Sequence, residues 1–129
     1  MTSPEIGALV ELAVAMNRRL AGDGRVVLPG GLDRLAGAIG SAFQTWGGRL
    51  LYPDVWVRAA VLLRGIAQAH PFDDGNKRTA WMFMVWYLHS QGLRLGWVDP
   101  DVAEAVVLDV VLGDWGVERF AAWLSFHAG

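Results

Sequence analysis

The chain has 129 residues, enough for one domain around a single apolar core and too few for two. A composition that is 53% hydrophobic and 19% charged excludes disorder, and a formal net charge of −2 excludes a global basic field for nucleic acid. Cysteine is absent, which rules out disulfides and thiolate zinc sites and is compatible with the cytoplasm. Glu5 stands where a secretory signal would carry positive charge, and the longest wholly apolar run, residues 80–88, is far too short to span a bilayer. These features predict a cytoplasmic protein without a membrane or nucleic-acid partner, built as one domain over residues 1–129.

In chain order, Ser3 and Pro4 are placed to cap and open a first helix, with Glu5 in its first turn and Arg18 and Arg19 in its last. Glycines and Pro29 then break the chain, leaving a short extended piece at residues 26–28. A second helix is predicted over residues 32–45, where Leu32, Leu35, Ala36, Ile39 and Phe43 share one face. Gly47 and Gly48 make a loop that either covers a site or simply connects, and Pro53 and Asp54 stop it and cap the next element. Val55, Ala59, Leu62, Leu63 and Ile66 mark a third helix over residues 55–69. It should end at His70, because a residue preceding proline is biased away from helical geometry.

Asn76 is read as the N-cap of a fourth helix that is apolar around most of its circumference and therefore central. Gly92 ends it, Asp99 and Pro100 start a fifth helix reaching about Val111, and a last amphipathic helix runs over residues 117–126. No alternating strand pattern stands out. The expected architecture is an all-α, compact single-domain helical bundle with at most one small hairpin.

The chemistry gathers at residues 70–78, "HPFDDGNKR". Lys77 and Arg78 occupy the first turn of a helix, where uncompensated cations oppose the macrodipole by a few tenths of a kcal/mol each. An anion in front of the helix reverses that sign. Backbone N–H groups after Gly75, the helix N-terminus and the two cations together suit phosphate. Asp74 beside such a cradle can hold Mg²⁺, which takes one or two protein carboxylates and leaves its remaining positions to phosphate and water. Asp73 caps or solvates the turn. His70 is the natural general base for an attacking hydroxyl, and base, metal ligand and anion cradle together indicate phosphoryl or nucleotidyl transfer.

The string "HPFDDGNKRTA" resembles the signature of the Fic/Doc family, HPFx(D/E)GN(G/K)R, and is especially similar to the Doc (death-on-curing) toxin branch, where NKRTA is typical. Weaker similarity runs through "LYPDVWVRAAVLLRGIAQAH" and "VERFAAWLSFHA", roughly residues 30–127. The resemblance implies an all-helical fold whose buried central helix follows the motif loop, with ATP and Mg²⁺ as cofactors. It makes His70 the catalytic base, Asp74 the magnesium ligand, and Gly75, Asn76, Lys77 and Arg78 the surroundings of the nucleotide phosphates. Phe72 would anchor the loop in the core.

Relatives that transfer AMP usually carry glycine after the asparagine and a second arginine four residues later; here those positions hold Lys77 and Trp81. The Doc branch resembles instead a protein kinase that moves the γ-phosphate of ATP to a threonine of an elongation factor. The resemblance therefore implies a toxin that phosphorylates a Ser/Thr hydroxyl on a protein substrate, held inactive by an antitoxin whose tail Trp56, Trp97 or Trp115 could anchor. AMPylation by the same loop, or a non-catalytic binding module, are the alternatives. Many relatives place a histidine–acid pair in the first helix; this chain has Ala13 and Val14 there. His89 and His127 read as ordinary helix-end residues, and Arg18, Arg19 and Arg58 as solvated or intrahelically paired.

Overall fold

The computed structural model describes residues 5–21 and 26–129, so the expected cap at Ser3 and Pro4 lies outside the described residues. Among those described, the chain forms α1 (Ile6–Ala21), α2 (Gly31–Ala42), β1 (Thr45–Trp46), β2 (Arg49–Leu50), α3 (Val55–Ala69), α4 (Asn76–Ser90), α5 (Pro100–Leu112) and α6 (Val117–Phe126). The all-α expectation holds. None of these helices is long and apolar enough to cross a membrane.

Local chemistry explains most of the boundaries. Asp54 caps α3, its Oδ1 accepting from the N–H groups of Trp56 at 2.8 Å and Val57 at 3.3 Å. Asp99 caps α5 through Asp101 N–H at 2.9 Å, with Pro100 at the first helical position. The second helix stops earlier than its apolar spacing predicts. Thr45, expected inside it, instead opens an antiparallel hairpin in which Thr45 faces Leu50 and Trp46 faces Arg49. The turn between them is Gly47 and Gly48, both at positive φ (58° and 80°), as the type I′ hairpin turn requires.

α3 lies at the centre with α4, touching α2, α4, α5 and α6, while α1 packs on α2 and α4. Ala59, Leu62, Leu63 and Ile66 of α3 and Ala80, Phe83, Met84 and Leu88 of α4 are fully buried. Their interface is the core. Gly65 lets α2 approach α3 closely, since a Cβ there would stand 3.2 Å from the Cβ of Ala38. Arg58 corrects an expectation: it is 3% exposed, not solvated. Its Nε donates to the Tyr87 hydroxyl at 2.9 Å and its Nη1 to the carbonyls of Tyr52 and Pro53 at 2.8 and 3.1 Å. That satisfies the buried cation and ties the loop before α3 to α4.

The far end is closed by a short clasp. Leu95 bridges Ala128, Gly96 N–H donates to the His127 carbonyl at 2.7 Å and Gly129 N–H to that of Arg94 at 2.8 Å. Phe120 stacks on Trp123 along α6, the ring of the C-cap His127 lies tilted against Trp123 at 4.4 Å, and Trp81 of α4 meets Trp123 edge-on at 6.4 Å. Most of the tryptophans are thus partly buried packing residues, Trp56 and Trp115 among them. Only Trp97 of the three suggested anchors stands out in solvent, at 81% exposure, and Trp46 at the hairpin is equally bare.

Candidate functional site

The loop joining α3 to α4 is held from several sides. α3 ends at Ala69, and His70 follows in the left-handed region at φ 47°, ψ 57°. A non-glycine residue there costs about 1 kcal/mol or more, so its surroundings must impose it. Arg34 of α2 does part of this: Nε donates to the Ala69 carbonyl at 2.8 Å, Nη2 to that of His70 at 3.2 Å, and Nη1 to that of Pro29 at 2.9 Å. A cation placed over the last carbonyls of α3 also suits the helix dipole.

Residues 26–28 run antiparallel to the loop. Leu28 N–H donates to the Pro71 carbonyl at 2.9 Å, Asp73 N–H to that of Val26 at 3.1 Å, and Val27 bridges Phe72. Asp73, read as a cap or solvated acid, also accepts from Val26 N–H at 3.2 Å and so helps pin the loop. Phe72 drives its ring into the core at 1% exposure. The start of α2 sits tightly beneath it. A Cβ on Gly31 would come within 2.4 Å of the Pro71 carbonyl oxygen, so only glycine fits.

From the opposite side comes Asn17 of α1, 1% exposed, whose Nδ2 donates to the Asp74 carbonyl at 2.9 Å and faces the Thr79 hydroxyl at 3.2 Å. Ala13 is fully buried one turn earlier. Asn17 is therefore what this first helix offers the loop. Sequence reasoning missed Asn17 and Arg34; the only sign of the former was an amide on the apolar face that Ala13 shares.

α4 begins at Asn76 with Gly75 as its cap, left-handed at φ 78°, and no side-chain cap bond. This corrects the reading of Asn76 as N-cap. Its amide turns inward, 7% exposed, accepting from Phe72 N–H at 3.0 Å, donating to the Phe72 carbonyl at 2.9 Å and lying 3.0 Å from His70 Nδ1. Asp74 Oδ1 accepts from Gly75 N–H at 2.7 Å. Lys77 and Arg78 are exposed on the first turn.

His70, Asp74, Gly75, Asn76, Lys77 and Arg78 all line one cavity of about 800 Å³, bounded on the far side by Trp81 and by Val107 of α5. The anion-cradle reading therefore brings its residues to a single concave surface. They fit a magnesium–nucleotide complex: the left-handed glycine, the start of α4 and two exposed cations suit phosphate. Among the described residues no group of three or more His, Asp or Glu could hold a metal. One acid, Asp74, would thus share a cation with phosphate oxygens, as Mg²⁺ commonly permits.

A model of the Fic/DOC family matches residues 8–88, from the first turn of α1 to near the end of α4. Toxin Doc of Mycolicibacterium smegmatis is 40% identical over 78 residues, which make up 60% of this chain and 60% of that protein. The chain thus matches about three fifths of that relative's length. α1, which lies outside the similarity read from the sequence over roughly residues 30–127, falls within the family match, whereas α5 and α6 lie beyond it.

Proposed function

This chain belongs to the Fic/DOC family, and on that premise we propose that it is a Doc-like toxin: an ATP-dependent protein phosphotransferase that modifies a Ser/Thr hydroxyl, with a translation elongation factor as the class of target. The observation that carries the reading is the meeting of His70 with Lys77 and Arg78 in one cleft at the glycine-led start of α4.

In this reading Lys77, Arg78 and the first backbone amides of α4 bind and orient the phosphate chain. His70, at the mouth of the same cleft, takes the proton of the incoming hydroxyl. Asp74 would hold Mg²⁺, which would supply charge neutralisation to the phosphate chain. The fixed loop contributes by positioning, since orientation alone can account for several kcal/mol of barrier.

Transfer of phosphate is favoured over transfer of AMP by what stands at two positions. Lys77 replaces a glycine, adding a charge at the cradle, and Trp81 replaces an arginine with a ring that packs against Trp123. The cleft lacks that second arginine. We further propose an antitoxin partner and a cytoplasmic site of action, in keeping with the similarity to Toxin Doc.

The test uses cell lysate and ATP labelled at either the α- or the γ-phosphate. Label reaching protein from the γ position alone, and lost in His70→Ala, is the expected result. Label from the α position would make the chain an AMP transferase. No label from either, with His70→Ala matching wild type in a growth-arrest assay, would make it a binding module.

A further inference from the structure

We propose that Asn76 is a positioning residue that fixes His70 as the Nε2–H tautomer, leaving Nδ1 as the ring's lone-pair nitrogen. The orientation of the Asn76 amide is set by Phe72, whose N–H donates to Oδ1 at 3.0 Å and whose carbonyl accepts from Nδ2 at 2.9 Å. Exchanging oxygen and nitrogen would set donor against donor and acceptor against acceptor at a residue that is 1% exposed. Two buried mismatches of about 1–3 kcal/mol each exclude it. Nδ2 therefore has one hydrogen on the Phe72 carbonyl and the other directed at His70 Nδ1, 3.0 Å away. A nitrogen receiving an N–H must be unprotonated, so the neutral ring carries its proton on Nε2.

For the phosphotransfer reading, on which this second part rests, the consequence concerns which nitrogen acts as base. The lone pair that must accept the hydroxyl proton is the one occupied by Asn76. Catalysis then begins with the ring parting from the amide, while the backbone of His70 stays held by Arg34. The hydroxyl proton passes to Nδ1, giving imidazolium with Nε2–H retained. The target oxygen bonds to the γ-phosphorus as the bond from that phosphorus to the bridging oxygen breaks, and ADP leaves with the electron pair. Asn76 thus gates the base besides anchoring the loop.

The tautomer is read without nucleotide or target. In ¹⁵N-histidine-labelled protein above the ordinary histidine titration range, long-range ¹H–¹⁵N correlation distinguishes protonated from unprotonated ring nitrogens. His89→Gln and His127→Gln assign the three rings. His127 is an internal control, because its Nδ1 lies 2.8 Å from the Trp123 carbonyl and must donate to it. The expected spectrum shows opposite tautomers, Nδ1 unprotonated in His70 and protonated in His127. In Asn76→Asp the amide hydrogens are gone, and His70 should switch to the Nδ1–H pattern. A wild-type His70 that matches His127, or whose two nitrogens average to one shift, overturns the proposal, as does an Asn76→Asp spectrum that folds and does not switch. The wild-type spectrum decides if that variant fails to fold. Failure of the base assignment would appear separately, as label transfer surviving in His70→Ala.

Discussion

Two glycines on α2 should respond to the same substitution with opposite signs. In Gly31→Ala the new Cβ would lie 2.4 Å from the Pro71 carbonyl oxygen and 3.2 Å from its carbonyl carbon and Cα, all backbone atoms. An unstrained carbon–oxygen contact is roughly 3.3 Å, so the loop must retreat by roughly 0.9 Å. The retreat strains or breaks the bond from Leu28 N–H to that same carbonyl, 2.9 Å long. Overpacking costs about 1–3 kcal/mol and the hydrogen bond about 1 more, a loss of roughly 2–4 kcal/mol. Gly37 lies less than two turns along the helix with nothing within 4 Å of its would-be Cβ. Gly37→Ala should therefore stabilise by roughly 0.5–1 kcal/mol, the ordinary helix gain. Urea unfolding of the two variants should separate their midpoints by about 1.3–2.5 M, for an m value of about 2 kcal/mol/M. Label transfer should fall by about 100-fold in folded Gly31→Ala, since a shift near 1 Å at a reacting loop has that scale. Equal midpoints for the two variants would refute the close seating of the loop on α2.

Asn17→Ala removes both contacts of that buried amide and should cost roughly 1–3 kcal/mol; hydrogen exchange should also quicken at residues 74–79 relative to the rest of α4. Arg58→Leu leaves the buried Tyr87 hydroxyl without its donor, and a thermal melt should report a loss of roughly 2–4 kcal/mol. Lys77→Ala behaves oppositely. The side chain is exposed at a helix start, so stability should hold or rise by a few tenths of a kcal/mol, while calorimetric titration with ATP shows affinity falling by about tenfold.

Where a boundary is written in local chemistry, the sequence was sufficient. Asp54 and the apolar spacing behind it define α3, and Asp99 with Pro100 defines the start of α5. The end of α2 was not legible, because Phe43 continues the apolar face while the Gly47–Gly48 turn, acting from beyond, draws Thr45 into a strand. Asn76 misled for a related reason. Asparagine is a strong capping residue, yet Gly75 takes the cap and Phe72 offers the amide two buried backbone partners. Arg58 reads as solvated or intrahelically paired because charge is its most visible property; its hydrogen-bond partners include a phenol on another helix and two loop carbonyls.

The motif itself was readable because its groups lie within nine consecutive residues. Its supports were not. Asn17 and Arg34 act on backbone carbonyls 57 and 35 residues away, and a carbonyl carries no side-chain identity that a pattern could register. The left-handed turn at His70 belongs to the same class: proline at the next position ends the helix, but the sign of φ is set by the packing of the loop on α2 and residues 26–28.

The most direct measurement is the mass of the modified peptide isolated from lysate treated with this protein and unlabelled ATP. Transfer through His70 and the Lys77–Arg78 cradle predicts a Ser or Thr carrying the mass of one phosphate, absent when His70→Ala replaces the wild type. An adenylate on that hydroxyl, or phosphate that persists with His70→Ala, would contradict it.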